Sequence, residues 1–203
     1  MKKIYLLTVF LLLTSILNAQ LRYGVKGGFN FASLSGSDAK EAKTITRFQF
    51  GAFANYSLPV LLGFQAEALY SMKGSQRKIK DEYGNTWTVS LNTDYLEIPV
   101  LLQLNIPLAV PVPLTPYVEV GPSLGITLSG KSKLETTGYS EERDVKSDLT
   151  GTDLGLALGF GLNVLKTFGV NVRYTFGFNT IDNTADPDDL KNSVVALTLS
   201  YSF

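Results

Sequence analysis

From Tyr23 to Phe203 the chain repeats one pattern in eight segments: apolar side chains at every second position, with small or polar ones between them. Successive side chains on a β-strand point to opposite faces, so a period of two means a strand with two unlike faces. The segments are 23–31, 47–56, 62–73, 95–104, 117–128, 153–163, 170–179 and 194–203. In the fourth, Leu96, Ile98, Val100, Leu102 and Leu104 oppose Tyr95, Glu97, Pro99, Leu101 and Gln103. Each segment is close to the roughly 9–11 residues that a tilted membrane strand needs. A soluble β-fold also alternates, so sidedness has to decide. The apolar face carries almost no charge in any segment, while the other is rich in glycine and holds isolated charges. A soluble barrel would turn its apolar face inward and its charges outward. The pattern therefore predicts an all-β fold, an eight-stranded antiparallel transmembrane β-barrel with a small polar lumen.

The connections alternate as well. Links 33–45, 74–93, 129–152 and 180–192 are long and polar, while 57–61 and 165–169 are short. Long loops after odd strands and tight turns after even ones match an outer-membrane barrel, with the long loops extracellular and both termini periplasmic. One link departs from the rule. Residues 105–116 should form a short turn but contain Pro107, Pro111, Pro113 and Pro116, which favour stiff, extended chain.

The first residues read as an address. Lys2 and Lys3 precede an apolar stretch, 4–13, and Leu17-Asn18-Ala19 ends on a small residue before Gln20. This is the order of a secretory signal peptide, with an N-terminal anchor as the alternative. Residues 1–19 are expected to be removed, leaving one domain, 20–203. No later apolar run approaches the roughly 20 residues of a spanning helix.

Composition narrows the chemistry. There is no cysteine and no histidine among the 203 residues. Disulfides and thiolate chemistry are therefore excluded, and the commonest general base and transition-metal ligand are missing. A net charge of zero offers no basic face for nucleic acid. On the inner face, Lys26, Arg47, Lys73 and Arg173 accompany Glu67, Glu97, Glu119 and Asp153. An eight-stranded barrel is just wide enough to be filled by side chains, so these charges are expected to pair and plug the lumen. The alternative is an ion path or ligand pocket. Glu67 and Glu97 also resemble an acid–base pair, but carboxylates within such a network are more often ion-paired.

Other signals are weaker. Gly24, Gly27 and Gly28 lie on a strand with no following helix, so they form no phosphate loop. Asp182, Asp186, Asp188 and Asp189 lack the ligand spacing of a calcium loop and read as a solvated acidic segment. Tyr83 and Trp87 read as interface anchors, with a ligand platform as the alternative. Tyr23, Tyr56, Tyr70, Tyr174 and Tyr201 read as aromatic girdles. No cofactor, metal or catalytic residue is expected.

Several motifs occur in a familiar order. The stretch 24–30, Gly-Val-Lys-Gly-Gly-Phe-Asn, resembles the opening strand of PorT-like outer-membrane β-barrel proteins. Residues 95–102, Tyr-Leu-Glu-Ile-Pro-Val-Leu-Leu, resemble that family's most recognisable strand. Pro116 to Pro122 and Gly159-Phe160-Gly161 are similar to its later strands. Tyr201 and Phe203 resemble the aromatic C-terminal signal read by the barrel-insertion machinery. The resemblance covers essentially the whole mature chain. It implies an eight-stranded barrel in the outer membrane, in a family whose name-giving member is associated with secretion.

The expected function is structural or interactive, exerted through the extracellular loops above a plugged lumen. A narrow channel for small ions or solutes and an accessory role in secretion are the alternatives. A membrane-embedded enzyme ranks last, because such sites usually need a histidine. The expected partners are outer-membrane lipid, the insertion machinery and a protein of the cell envelope. No nucleic acid is expected, and the chain reads as a monomer.

Overall fold

The computed structural model describes residues 21–39, 41–58, 61–80, 84–109, 112–185 and 187–203. The expected signal peptide, Gln20, Tyr83, Pro111 and Asp186 lie outside them. The described strands are β1 (Leu21–Ser35), β2 (Ile45–Ser57), β3 (Leu62–Lys80), β4 (Thr86–Asn105), β5 (Leu114–Thr136), β6 (Tyr139–Asp144), β7 (Thr152–Val164), β8 (Phe168–Gly177) and β9 (Lys191–Ser202). All except β6 form a closed antiparallel ring in which β5 pairs with β7 and β9 closes on β1. The closing seam runs from Gly24 opposite Ser202 to Ser35 opposite Lys191. Closure leaves no unpaired edge within the ring, the condition for β-structure in lipid.

The outward face is apolar and bare. Phe29, Phe48, Phe50, Leu158 and Leu199 are each more than 40% exposed. Neighbouring strands pack their rings together there, tilted in Phe29 against Phe48 at 5.0 Å and Phe50 against Tyr70 at 5.5 Å, and edge-on in Phe168 against Tyr201 at 5.4 Å. An apolar surface of this extent needs lipid against it. The inward face is buried and polar, with Lys26, Asn30, Gln49, Glu67, Lys73, Glu97, Glu119 and Arg173 among its residues.

The strands run further than alternation alone suggested. Link 74–93 is mostly a hairpin, with β3 and β4 paired from Lys73 and Thr93 out to Lys80 and Thr86. Link 129–152 likewise contains the end of β5 and the added strand β6, paired from Lys131 and Asp144 to Thr136 and Tyr139. The polarity there marks water on the outer face rather than loss of strand. Trp87 sits on this projecting hairpin, edge-on to Tyr139 at 6.1 Å and nine positions beyond Leu96 on the apolar band. That contact packs the projecting sheet, well away from the end of the band. On the same side of the barrel, β8 stops early, at Gly177. Asn179 accepts the Leu154 N–H and donates to the Thr152 carbonyl.

The proline-rich link is shorter than its prolines suggested, because β5 already starts at Leu114. It is tied down at both ends. The Ile106 N–H donates to the Pro116 carbonyl, and the Leu165 N–H donates to that of Pro113.

Candidate functional site

The ring brings the inward charges together at two levels. Glu67 on β3 anchors the first. Its Oε1 accepts from Lys26 Nζ at 2.9 Å, Arg173 Nη2 at 2.8 Å and Gln65 Nε2 at 2.6 Å. Its Oε2 accepts from Arg173 Nη1 at 2.8 Å, so the guanidinium is held by two parallel bonds. The remaining Arg173 nitrogen, Nε, donates to Glu119 Oε1 at 2.8 Å. Gln103 and Asn171 donate to the same carboxylate. Two cations and two anions from β1, β3, β5 and β8 are thus mutually compensated. Bare glycines on β7 leave room for this set. A Cβ on residue 159 would come within 2.7 Å of Glu119 Oε1, and one on residue 161 within 2.3 Å of the Tyr117 ring.

The second level centres on Lys73. Its Nζ lies 3.1 Å from Asp153 Oδ2, 3.3 Å from Glu97 Oε2 and 5.0 Å from the centre of the Tyr95 ring. Ser123 donates to Glu97, and Asn192 bridges Asp153 and the Tyr95 hydroxyl. One cation here serves two carboxylates, and Asp153 Oδ1 is buried without a partner among the described residues. Arg47 does not join either cluster. It lies opposite Asn30 in the β1–β2 register, forms none of the ion pairs found among the described residues, and has a buried Nε with no acceptor. Alternation placed Arg47 on the inner face correctly, but it carries no information about reach across the lumen.

Apolar side chains share this interior, since Phe53, Leu69 and Leu101 also point inward and are buried. At the periplasmic mouth a cavity of about 10 Å3 remains between Arg22, Lys26, Gln103 and Tyr117. Arg22 donates there to Asn55 and to the Lys166 carbonyl. It continues the inner register of Gly24 and Lys26, so its position was legible, though it fell one residue outside the first alternating segment.

The extracellular mouth is covered by chain. Ile181 is 1% exposed and sits between two backbone bonds, from Thr150 N–H to its carbonyl and from its N–H to the Leu190 carbonyl. The Asn183 N–H donates to the Asp148 carbonyl, and Thr127 Oγ1 donates to that of Thr150. These bonds join segments 145–151 and 180–190 into a cap. Above it lies an open cup of about 300 Å3. Leu34, Val89, Leu91, Leu149, Ile181 and Leu190 are among its apolar walls. Asp38, Asp148, Asp182, Asp188 and Arg77 also line it. No sequence motif marked this cup, because it is assembled from all four long connections.

The acidic segment folds on itself. Asp182 accepts the N–H groups of Thr184 and Asp188, both at 2.9 Å. Burial opposes its charge, but these backbone bonds outweigh it and hold its pKa below the ordinary aspartate value. The Lys191 ammonium at 2.7 Å and the Ser37 N–H hold Asp189 low as well. Among the described residues no group of three carboxylates converges as a metal site would require.

Comparison with curated proteins by sequence gives no match. Among solved structures the chain is similar to Ail, the attachment invasion locus protein of Yersinia pestis, at 16% identity and a TM-score of 0.45, covering 91% of this chain and 99% of that one. It is similar to Neisserial surface protein A at 13% identity and a TM-score of 0.47, covering 89% and 97%. It is also similar to OprG of Pseudomonas aeruginosa at 15% identity and a TM-score of 0.46, covering 90% and 95%. The family model of the outer membrane protein beta-barrel domain matches residues 18–183, and with its closed ring and bare apolar exterior the chain belongs to that family of outer-membrane barrels.

Proposed function

We propose that the protein is a non-conducting outer-membrane barrel that works through its extracellular face as an interaction module. One observation carries this: the lumen is filled from end to end. Ion-paired clusters occupy its middle, about 10 Å3 remains at the periplasmic mouth, and Ile181 and its cap cover the other end. A path for ions would need a continuous water column, and a paired lumen leaves none. The bonded cap and the projecting sheet of β3 to β6 instead present a fixed surface above the membrane. The PorT-like motifs at 24–30 and 95–102 support a protein of the cell envelope as the partner.

Export by a signal peptide over residues 1–19, insertion guided by Tyr201 and Phe203, and a monomeric barrel complete the proposal. Phe203 is bound in place by its N–H to the Tyr23 carbonyl and is 69% exposed, open to recognition before insertion is complete. Planar-bilayer recording tests the closed lumen. The expected trace shows no unitary steps, and a stable single-channel conductance would overturn the proposal in favour of a narrow channel.

A further inference from the structure

The inner face of the barrel changes character along its length. On β4 it carries Glu97 and then Thr93, both buried, and beyond them Leu91 and Val89, which face the cup. Leu149, Ile181 and Leu190 meet them from the cap segments. Apolar surface left open to water is unfavourable, so a concave apolar wall at the cell surface favours an apolar occupant. Its volume of about 300 Å3 lies at the small end of ligand sites.

Charge selects the occupant. Four carboxylates and one guanidinium line the cup among the described residues. Two of these carboxylates are committed to backbone: Asp182 to Thr184 and Asp188, and Asp38 to Asp189. The other two are not. Asp148 accepts from the hydroxyl of its neighbour Ser147 at 3.2 Å and reaches Arg143 at 4.0 Å, which leaves Oδ2 open, and among the described residues the Asp188 carboxylate takes no hydrogen bond or ion pair. They approach the cup from different cap segments, over the apolar walls below.

We propose that the cup is a binding site for small organic cations, with an aromatic or short aliphatic body on the Val89–Leu91–Leu149 wall and an ammonium head at Asp188 and Asp148. The site deepens the interaction role proposed above and rests on the extracellular face being the working one. The test uses the folded full barrel in phosphatidylcholine nanodiscs, where no anionic lipid competes for the amine. The probes are 2-phenylethylammonium, neutral 2-phenylethanol and anionic phenylacetate, followed by saturation-transfer NMR and calorimetry.

The ammonium is expected to bind saturably at one site, the alcohol about tenfold more weakly and the carboxylate more weakly still, as for loss of one charge-assisted contact. Asp188→Asn should weaken the ammonium by about tenfold. Ala42→Trp, which fills the cup, should abolish binding while leaving heat-modifiable gel migration intact. Ser132→Arg fills the cup from β5 and serves if Ala42→Trp misfolds. Absence of saturable binding below about 10 mM overturns the proposal, as does equal affinity for the three probes or indifference to the substitutions. The interaction role fails separately, through a channel conductance, and survives an empty cup if the lumen proves closed.

Discussion

Below Thr93 the inner face of β4 carries Glu97 and Gln103, each engaged by a charged partner on a neighbouring strand; above it the same face carries Leu91 and Val89. The outer face changes in the opposite sense. Within the ring it bears Leu96, Val100 and Leu104. On the projecting sheet it bears exposed pairs such as Lys131 with Glu142 at 2.7 Å. The medium outside dictates both. Where lipid surrounds the wall, apolar side chains go outward and polar ones fill a lumen narrow enough to pair them. Where water surrounds it, the soluble arrangement returns and the apolar residues turn inward. The lower half should therefore depend on charge compensation, and the upper half on ordinary apolar contact.

The sharpest test of this contrast is Arg173→Met. It leaves Glu67 with one cation and Glu119 with none, buried in the ring, and should cost about 3–5 kcal/mol. Urea unfolding in lipid vesicles, followed by heat-modifiable migration, measures it. Adding Glu67→Gln and Glu119→Gln should recover most of the loss, because the penalty belongs to the unpaired anions. A cost below about 1 kcal/mol would mean that water compensates the lumen, and the plugged interior would have to be abandoned.

Lys73→Met comes next, at roughly 3 kcal/mol. Glu97 would keep Ser123, and Asp153 would keep Asn192. In the upper half, Leu91→Asn should cost only about 1 kcal/mol, since a half-buried side chain loses part of its transfer energy and no charge is stranded. If it costs as much as Arg173→Met, the two halves do not obey different rules.

A pH series probes the upper half alone. Because Asp182 has its pKa lowered in the folded state, its bonds to Thr184 and Asp188 are fully stabilising above the ordinary value of 3.8 and are lost as pH falls through the lowered one. Amide exchange at Thr184 and Asp188 should stay slow at pH 5 and accelerate only well below 3.8. Acceleration already near pH 5 would show that the cap is held by something other than this carboxylate.

The two halves were not equally legible in the sequence. Alternation between the two faces is imposed by lipid on every strand of the ring, so the eight segments and the inward positions of Lys26, Glu67, Lys73, Glu97, Glu119, Asp153 and Arg173 could be taken from residue spacing. That Arg47 forms no ion pair among the described residues could not, because pairing across a lumen depends on strand stagger and side-chain reach. Above the membrane the guide disappears. Water accepts polar side chains on strands and loops alike, so the β3–β4 hairpin and β6 looked like loops. The cup draws its walls from four connections far apart in sequence, and no local pattern records that they meet.

The smallest expected effect lies at the opposite end of the barrel, in the turn between β7 and β8. Leu165 and Lys166 both have positive φ, 53° and 60°, and the Thr167 N–H donates to the Val164 carbonyl. Two central residues of this kind make a mirror-image hairpin turn, which favours Asn-Gly because other side chains crowd the backbone there. The chain holds Leu-Lys in place through bonds to its backbone: the Leu165 N–H donates to the Pro113 carbonyl, and the Arg22 guanidinium donates to the Lys166 carbonyl. Lys166→Gly keeps both ties and removes the Cβ, so it should stabilise the barrel by about 0.5 kcal/mol, read as a small rise in the urea midpoint. A fall would mean that the Lys166 side chain itself holds the turn. Each of these ties reaches the backbone of the turn and none uses the Lys166 side chain, so a gain from glycine would show that the strained residues persist only because those ties hold them.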